Sequence, residues 1–298
     1  MPTLLFTGAT GFLGRNILPS LSKTYDVSTC GISEEDTIKA NLANEAPQLD
    51  KPYDVVLHAC GKAHSVPRTE SEKKVFYDVN FQGTVNLCSA LEKTGVPKSL
   101  IFISTVAVYG CESGEMITEE HPLNGDSPYA ESKKMAESFL SDWCEKHNVI
   151  LGIIRPSLIA GKNAPGNLGA MVRGIQTGRY LSINHGKARK SVLMAEDIAR
   201  LVPKLAEIGG IYNVCDSHNP SFGELEHLIA GQLRKRTPVS IPYWFAKCLA
   251  LCGDILGSKA PINSLKFKKI TESLTFSNEK ARKALNWEPL DVMENYRI

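Results

Sequence analysis

The sequence predicts an α/β fold in which a doubly wound parallel sheet is followed by a smaller C-terminal lobe. Three observations predict it. Short β-rich runs alternate with segments of helix length, the runs are apolar at consecutive positions, and a glycine turn follows the first of them.

The runs come in order as Leu4-Leu5-Phe6, Asp26 to Cys30, Asp54 to His58, Leu100 to Ser104 and Ile150 to Arg155. Val55-Val56-Leu57 and Leu100-Ile101-Phe102-Ile103 do not alternate with polar residues, which is the pattern of strands covered on both faces. After Arg155 the texture turns rich in Pro, Gly and Asn (Pro156, Gly161, Pro165, Gly166, Asn167, Gly169), the mark of a second lobe. Ser191 to Ala206 followed by Gly210 to Val214 reads again as strand, helix and strand. The larger domain is therefore expected to span 1–155 and to take back about 191–215, leaving 156–190 and 216–298 to the smaller lobe.

Charge and cysteine content narrow the class. With 34 Lys and Arg against 32 Asp and Glu, the net charge of +2 gives no basis for a nucleic-acid groove or a polybasic membrane surface, and the clusters Arg234-Lys235-Arg236 and Lys266-Phe267-Lys268-Lys269 read as solvated faces. Eight cysteines without a CxxC or a regular framework read as thiols in a reducing compartment. Cys248 and Cys252 can share a helix face, yet no neighbouring ligands complete a zinc set, so no metal is expected. Thr3 to Thr7 leads directly into strand and glycine turn, which leaves no room for an export signal and points to the cytoplasm. The most apolar stretch, Ile241 to Gly257, is broken by Pro242, Lys247 and Asp254 and falls short of the roughly 20 residues of a membrane span. It reads as a packed helix, without stable membrane insertion.

Gly8-Ala9-Thr10-Gly11-Phe12-Leu13-Gly14-Arg15 links the first run to the first helix. Glycines there permit a tight turn and a close backbone approach, so that a pyrophosphate can rest on the amides and positive dipole of the helix N-terminus. Tyr129 and Lys133 stand four apart on a helix-like run from Pro128 to Cys144, so both project from one face. A free phenol has a pKa of about 10 and is a poor base at neutral pH unless a nearby cation favours the phenolate. Lys133 is placed to be that cation. Thr105 ends a parallel strand, at the edge where ligands bind in open α/β sheets.

Taken together these segments resemble the extended short-chain dehydrogenase/reductases, the NAD-dependent epimerase/dehydratase family with its Rossmann fold. The GxxGxxG opening is one match. Others follow in order: His58-Ala59-Cys60-Gly61, Val79-Asn80-Phe81-Gln82-Gly83-Thr84, Ser104-Thr105-Val106-Ala107-Val108-Tyr109-Gly110, and the YxxxK signature Tyr129 to Lys133. The resemblance implies hydride transfer with NAD or NADP, with Thr105, Tyr129 and Lys133 catalytic and with Lys133 also bonding the nicotinamide ribose. It implies a dinucleotide held by Gly8, Thr10, Gly11, Phe12, Leu13, Gly14, Arg15, Asn41, Leu42, His58, Ala59, Cys60, Asn80, Ser104 and Pro156. No carboxylate stands at the expected end of the second strand, although Glu34, Glu35 and Asp36 follow, and Arg15 is a candidate for a 2′-phosphate. NAD and NADP therefore both stay open.

The second half is similar to the nucleotide-sugar branch of that family, whose members include UDP-glucose 4-epimerases and 4-ketosugar reductases. Arg155-Pro156 to Gly161, Pro165-Gly166-Asn167-Leu168 and Arg189-Lys190 to Ala199 carry this likeness. It implies a nucleotide-sugar substrate touched by Thr105, Tyr129, Asn167 and Lys190, reaction at C4, and a homodimer through the helices of Phe76 to Lys93 and Pro128 to Lys146. Val106 and Ala107 replace the acid pair of the 4,6-dehydratases, and two apolar side chains cannot shuttle protons, so dehydration is not expected. Two other readings remain: a non-catalytic NAD(P)-binding regulator on the same fold, and a reductase of a non-sugar ketone.

Overall fold

The computed structural model describes residues 1–63, 65–256 and 262–298. Its strands in chain order are β1 (Thr3–Thr7), β2 (Asp26–Gly31), β3 (Ile38–Lys39), β4 (Val55–His58), β5 (Ser99–Ile103), β6 (Gly114–Ile117), β7 (Ile150–Pro156), β8 (Leu158–Ala160), β9 (Ser182–Ile183), β10 (Val192–Met194), β11 (Gly210–Val214), β12 (Ser240–Ile241) and β13 (Leu274–Phe276). The helices are α1 (Phe12–Leu21), α2 (Glu70–Tyr77), α3 (Gly83–Thr94), α4 (Pro128–His147), α5 (Gly166–Gln176), α6 (Ala195–Ile208), α7 (Phe222–Gln232), α8 (Tyr243–Leu256), α9 (Ser264–Thr271), α10 (Glu279–Leu285) and α11 (Val292–Asn295).

Seven strands form one parallel sheet in the order β11-β7-β5-β4-β1-β2-β3. Alternate side chains of each strand feed two different cores. Leu4, Phe6, Val55, Leu57, Ile101 and Ile103 pack under α1, α6 and α10, whereas Leu5, Val56, Leu100 and Phe102 pack under α3 and α4. That division explains why the strands are apolar throughout, since both faces of a doubly wound sheet are covered. The chain reverses its direction of strand addition at β1, so a crevice opens beyond the C-terminal ends of β1 and β4.

Outside this sheet lie three two-stranded pairs, β10-β8, β12-β9 and β13-β6. The run 191–214 is divided between them and the large sheet. β10 pairs with β8, while α6 packs on the first core and β11 extends the sheet beside β7. A third core, which includes Leu168, Met171, Ile175, Leu225 and Ile229, holds α5 against α7.

The apolar stretch 241–257 differs from expectation. Its described part forms β12 and α8, but α8 is not packed by its large side chains: Ala246, Ala250 and Gly253 face inward, while Trp244, Leu251 and Ile255 face solvent. The expectation of burial failed because the segment is apolar around most of its circumference, and periodicity then cannot say which side turns in. Gly257 lies outside the described residues. No described helix is long and apolar enough to cross a membrane.

Candidate active site

The glycine turn is built by sterics. Gly8 has φ +79°, and a Cβ there would stand 2.7 Å from the Cys60 amide nitrogen and 2.9 Å from the Ala59 carbonyl, so neither its conformation nor its surroundings admit a side chain. A Cβ on Gly14 would meet the Ala9 carbonyl oxygen at 2.2 Å, which is how closely α1 lies on the turn. Gly11 caps α1 with no side-chain hydrogen bond, and the first turn holds no acidic residue. The amide donors and positive end of the helix dipole are therefore left for an anion. Gly8, Gly11, Phe12 and Leu13 line a cleft of about 270 Å³.

The opposite wall comes from β5, α4 and the chain after β7. Ser127 caps α4 through the Ala130 amide at 3.2 Å, Pro128 occupies the first turn, and Asn148 closes the helix with φ +56°. This framing sets Tyr129 and Lys133 on one face, and both line the cleft together with Thr105, Pro156 and Ser157. Thr105 caps a short 3₁₀ turn, its oxygen accepting from the Ala107 amide at 3.1 Å. Its side chain lies close enough to the Tyr129 phenol to lower that group, yet burial is the larger effect and the phenol stands above its ordinary value of 10.0. Lys133 donates from Nζ to the Ile103 carbonyl at 2.8 Å and lies 4.5 Å from the Phe102 ring centre. Burial brings its pKa down to about 8, against the raising effects of Cys60 and Glu137. Thr105, rather than the ammonium, is thus the side chain that lowers the phenol in this arrangement, and Tyr129 is a neutral hydroxyl at pH 7.

Several other residues singled out in the sequence serve as framework. His58 is fully buried, with Nδ1 2.7 Å from Thr7 Oγ1 and Nε2 2.9 Å from Thr84 Oγ1; burial, with a smaller contribution from Lys133, lowers its pKa to about 3. Ala59 and Gly61 line the cleft, while the Cys60 amide donates to Thr7 Oγ1 at 3.2 Å. Asn80 sits in a π-helical turn, Asp78–Gln82, and clamps the chain after β4 to α4: its Oδ1 accepts from Lys62 N at 2.7 Å and its Nδ2 donates to Ser132 Oγ at 2.9 Å. Ser104 is buried and bonds Glu137.

The remaining candidates lie apart from the cleft. Thr10 and Arg15 border a separate shallow hollow with Glu35, and Arg15 is already engaged by Glu35 at 3.0 Å and by the Thr10 carbonyl at 2.9 Å. Asn41 is exposed and bonds the Ala43 amide at 3.2 Å, while Leu42 is a core residue packed on Gly83. Asn167 is exposed on the first turn of α5, and Lys190 lies beside Glu272 and Lys269, half-buried, with burial lowering its pKa to about 8. Among the described residues no group of three or more His, Cys, Asp or Glu could hold a metal ion.

Several residues that sequence reading passed over, or left unassigned, support the site. Glu137 continues the stripe of Tyr129 and Lys133 at the same spacing of four and pairs with Arg155 at 2.6 Å, both side chains buried. Arg155 in turn donates to Tyr109 Oη at 3.1 Å, and Tyr109 donates to Asn213 at 2.6 Å. Asp36 folds back over the end of β2. Its Oδ2 accepts from Ser33 N at 3.1 Å and would lie 2.5 Å from a Cβ on Gly31, so only glycine leaves room for it. Asp36 Oδ1 and Ser157 Oγ are buried with no hydrogen-bond partner. Among the described residues Ser99 Oγ and Ser182 Oγ share this state, and of the four only Ser157 lines the cleft, where an unsatisfied buried polar atom marks a place for a ligand to complete the bonding. Together with the uncapped α1 and the Gly8 approach, it fits a dinucleotide.

The sequence profile of the family described as "NAD dependent epimerase/dehydratase family" matches residues 4–215. The chain is 29% identical over 296 residues to N-acetyl-alpha-D-glucosaminyl-diphospho-ditrans,octacis-undecaprenol 4-epimerase of Escherichia coli O157:H7, an alignment covering 93% of this chain and 88% of that one. It is 27% identical over 318 residues to UDP-glucose 4-epimerase of Vibrio cholerae, covering 98% and 92% respectively. Among solved structures, that of RMD from Pseudomonas aeruginosa complexed with NADPH superposes with a TM-score of 0.74 at 20% identity, covering 98% of this chain and 95% of that one.

Proposed function

Since the chain belongs to the NAD dependent epimerase/dehydratase family, we propose that this NAD(P)-dependent enzyme moves hydride at C4 of a sugar carried on a diphosphate, as an epimerase or a ketosugar reductase and not as a 4,6-dehydratase. The convergence of Thr105, Tyr129 and Lys133 with the glycine turn on one cleft carries the reading. NAD(P), held by the glycine turn, would be the donor or acceptor of hydride there. Tyr129, neutral at pH 7, gives its proton to the C4 oxygen in the reducing direction, while the Thr105 hydroxyl positions that oxygen. In the oxidising direction the phenol must lose its proton, which the Thr105 side chain and the positive charge of Lys133 both favour. Val106 and Ala107 offer no proton carrier for dehydration.

The lobe of 156–190 and 216–298 is assigned to the substrate, with Asn167 and Lys190 as its diphosphate contacts. A nucleotide-linked sugar is the first reading of the carrier. A lipid-diphosphate-linked sugar is the second, supported by the activity for which the Escherichia coli relative is named and by the outward apolar face of α8. A homodimer through α3 and α4 belongs to the same proposal. The experiment is incubation with UDP- and dTDP-hexoses and with a polyprenyl-diphosphate hexosamine in deuterated water, following C4 configuration by NMR. Inversion or ketone reduction at C4 of at least one substrate is expected; chemistry confined to C5 and C6, or none with any of them, would overturn the proposal.

For the cofactor we favour NAD over NADP. Asp36 folds back over the end of β2, where a ribose 2′-hydroxyl is bound in this fold, and Glu35 both neutralises Arg15 and would repel a 2′-phosphate. Replacing Asp36 by Ala is expected to weaken NAD by about 10-fold to 100-fold, the range for a hydrogen bond to a charged group, with little loss for NADP. Titration of the coenzymes checks this; unchanged NAD affinity would remove Asp36 from the site.

A further inference from the structure

The helix α8 carries its amphipathic character the wrong way round for a protein surface in water. Ala246, Ala250 and Gly253, spaced i, i+4 and i+7, form the buried stripe. Trp244, Cys248, Leu251 and Ile255, spaced i, i+4, i+7 and i+11, form the opposite one, with Trp244 67%, Leu251 55% and Ile255 88% exposed. Phe245 and Leu249 widen this stripe, and Leu265 on the adjoining α9 is also exposed. Small residues inside and large apolar ones outside are unfavourable in water, and a contiguous exposed apolar surface of this kind marks an interaction site.

Charge identifies what covers it. Residues 234–271 carry eight Lys and Arg and a single acidic residue, Asp254, although the whole chain stands at only +2. Lys247 on α8 and Lys268 and Lys269 on α9 are exposed, Lys268 with Glu112 at 3.2 Å. A second copy meeting this face through a two-fold axis would bring like charges together, which disfavours self-pairing. An anionic bilayer surface complements both features: basic groups meet phosphate headgroups, tryptophan settles at the interface, and aliphatic side chains enter the acyl boundary.

We propose that α8 and α9 seat the protein on an anionic lipid surface, with Trp244, Leu251 and Ile255 entering the interface and the flanking lysines contacting headgroups. The helix lies in the plane of the surface and does not cross it. Resting on the reading that this enzyme acts on a diphosphate-linked sugar, the docked state brings the substrate lobe to the plane in which a lipid-anchored sugar diphosphate is held. The binding itself does not depend on that reading.

The test uses the full chain and vesicles of phosphatidylcholine and phosphatidylglycerol in a roughly 2:1 ratio, against phosphatidylcholine alone, at low and high salt. Co-sedimentation with the anionic vesicles, weakened by salt, is expected. Of the three tryptophans, Trp143 and Trp287 are buried, so a blue shift on vesicle addition reports Trp244 directly. The double variant Trp244→Ser, Ile255→Ser is expected to lower partitioning by roughly tenfold or more, and Lys247→Glu to lower it independently. These side chains lie outside the cleft, so turnover of a water-soluble nucleotide sugar and the thermal midpoint stay at wild-type levels. Absence of sedimentation with anionic vesicles, equal sedimentation of the double variant, or an oligomer that dissociates on the same substitutions would overturn the docking. Vesicle binding without C4 chemistry would instead overturn the proposed reaction.

Discussion

Replacing Tyr129 by Phe is expected to lower turnover by about 10²-fold to 10⁴-fold, the usual worth of a positioned proton donor, while leaving coenzyme affinity within a few-fold. The substitution removes one hydroxyl from the cleft and keeps the ring that packs against Phe76 at a centroid distance of 6.2 Å. A fall in kcat with little change in KM therefore reports lost proton transfer and not lost structure. Wild-type turnover by the Phe variant would sink the assigned role. The pH profile gives a second reading. Lys133 has its pKa lowered by burial from 10.5 to about 8, so its ammonium, and the support it lends to a tyrosinate, disappears as pH rises through about 8. Stability moves the opposite way: between about 8 and 10.5 the unfolded chain binds the extra proton, so deprotonation relieves a buried charge and the fold gains stability with rising pH. A drop in turnover above pH 8 without a drop in thermal midpoint is the expected combination, and it separates chemistry from unfolding.

The second large effect falls on the fold. Glu137→Gln is expected to destabilise the protein by about 3–5 kcal/mol, because it leaves the Arg155 guanidinium charged, desolvated and without its counter-ion. Arg155 and Glu137 are 5% and 6% exposed at their side chains and meet at 2.6 Å, and the same carboxylate also bonds Ser104 at the rim of the cleft. A fall in thermal midpoint on the order of 10 °C follows for a chain of this size. The contrast is Glu288→Gln, which breaks the Arg282 pair at 2.8 Å on a carboxylate 73% exposed, where solvent screening leaves little effect on stability. Equal midpoints for the two variants would show that the buried pair holds nothing together.

Glu137 also illustrates how far the sequence carried the site. Its spacing from Tyr129 and Lys133 was readable, since i, i+4 and i+8 share a helix face. Its partner was not, because Arg155 stands on a different strand and only the packing of α4 on β7 brings the two together. Asp36 follows the same logic. Three acidic residues in a row after β2 give no sign of which one turns back, and that choice is made by the Gly31 position, where any side chain would occupy the space of the carboxylate. Likewise Thr105 and Tyr129 were both expected at the cleft, but the state of the phenol follows from burial, a property of the assembled walls.

By itself the chain determined what depends on neighbours along it: the two-face apolar strands, the glycine turn that opens α1, the caps of α4, and the placing of Tyr129 and Lys133 on one helix face. Local sterics and side-chain periodicity suffice for these, because each is decided within a few residues. The tertiary structure alone decided the Arg155–Glu137 pair, the return of Asp36 onto Gly31, the upward shift of the phenol and the outward face of α8. Each of these is set by desolvation or by contact between segments distant along the chain, and no pattern confined to one segment encodes which surfaces will meet.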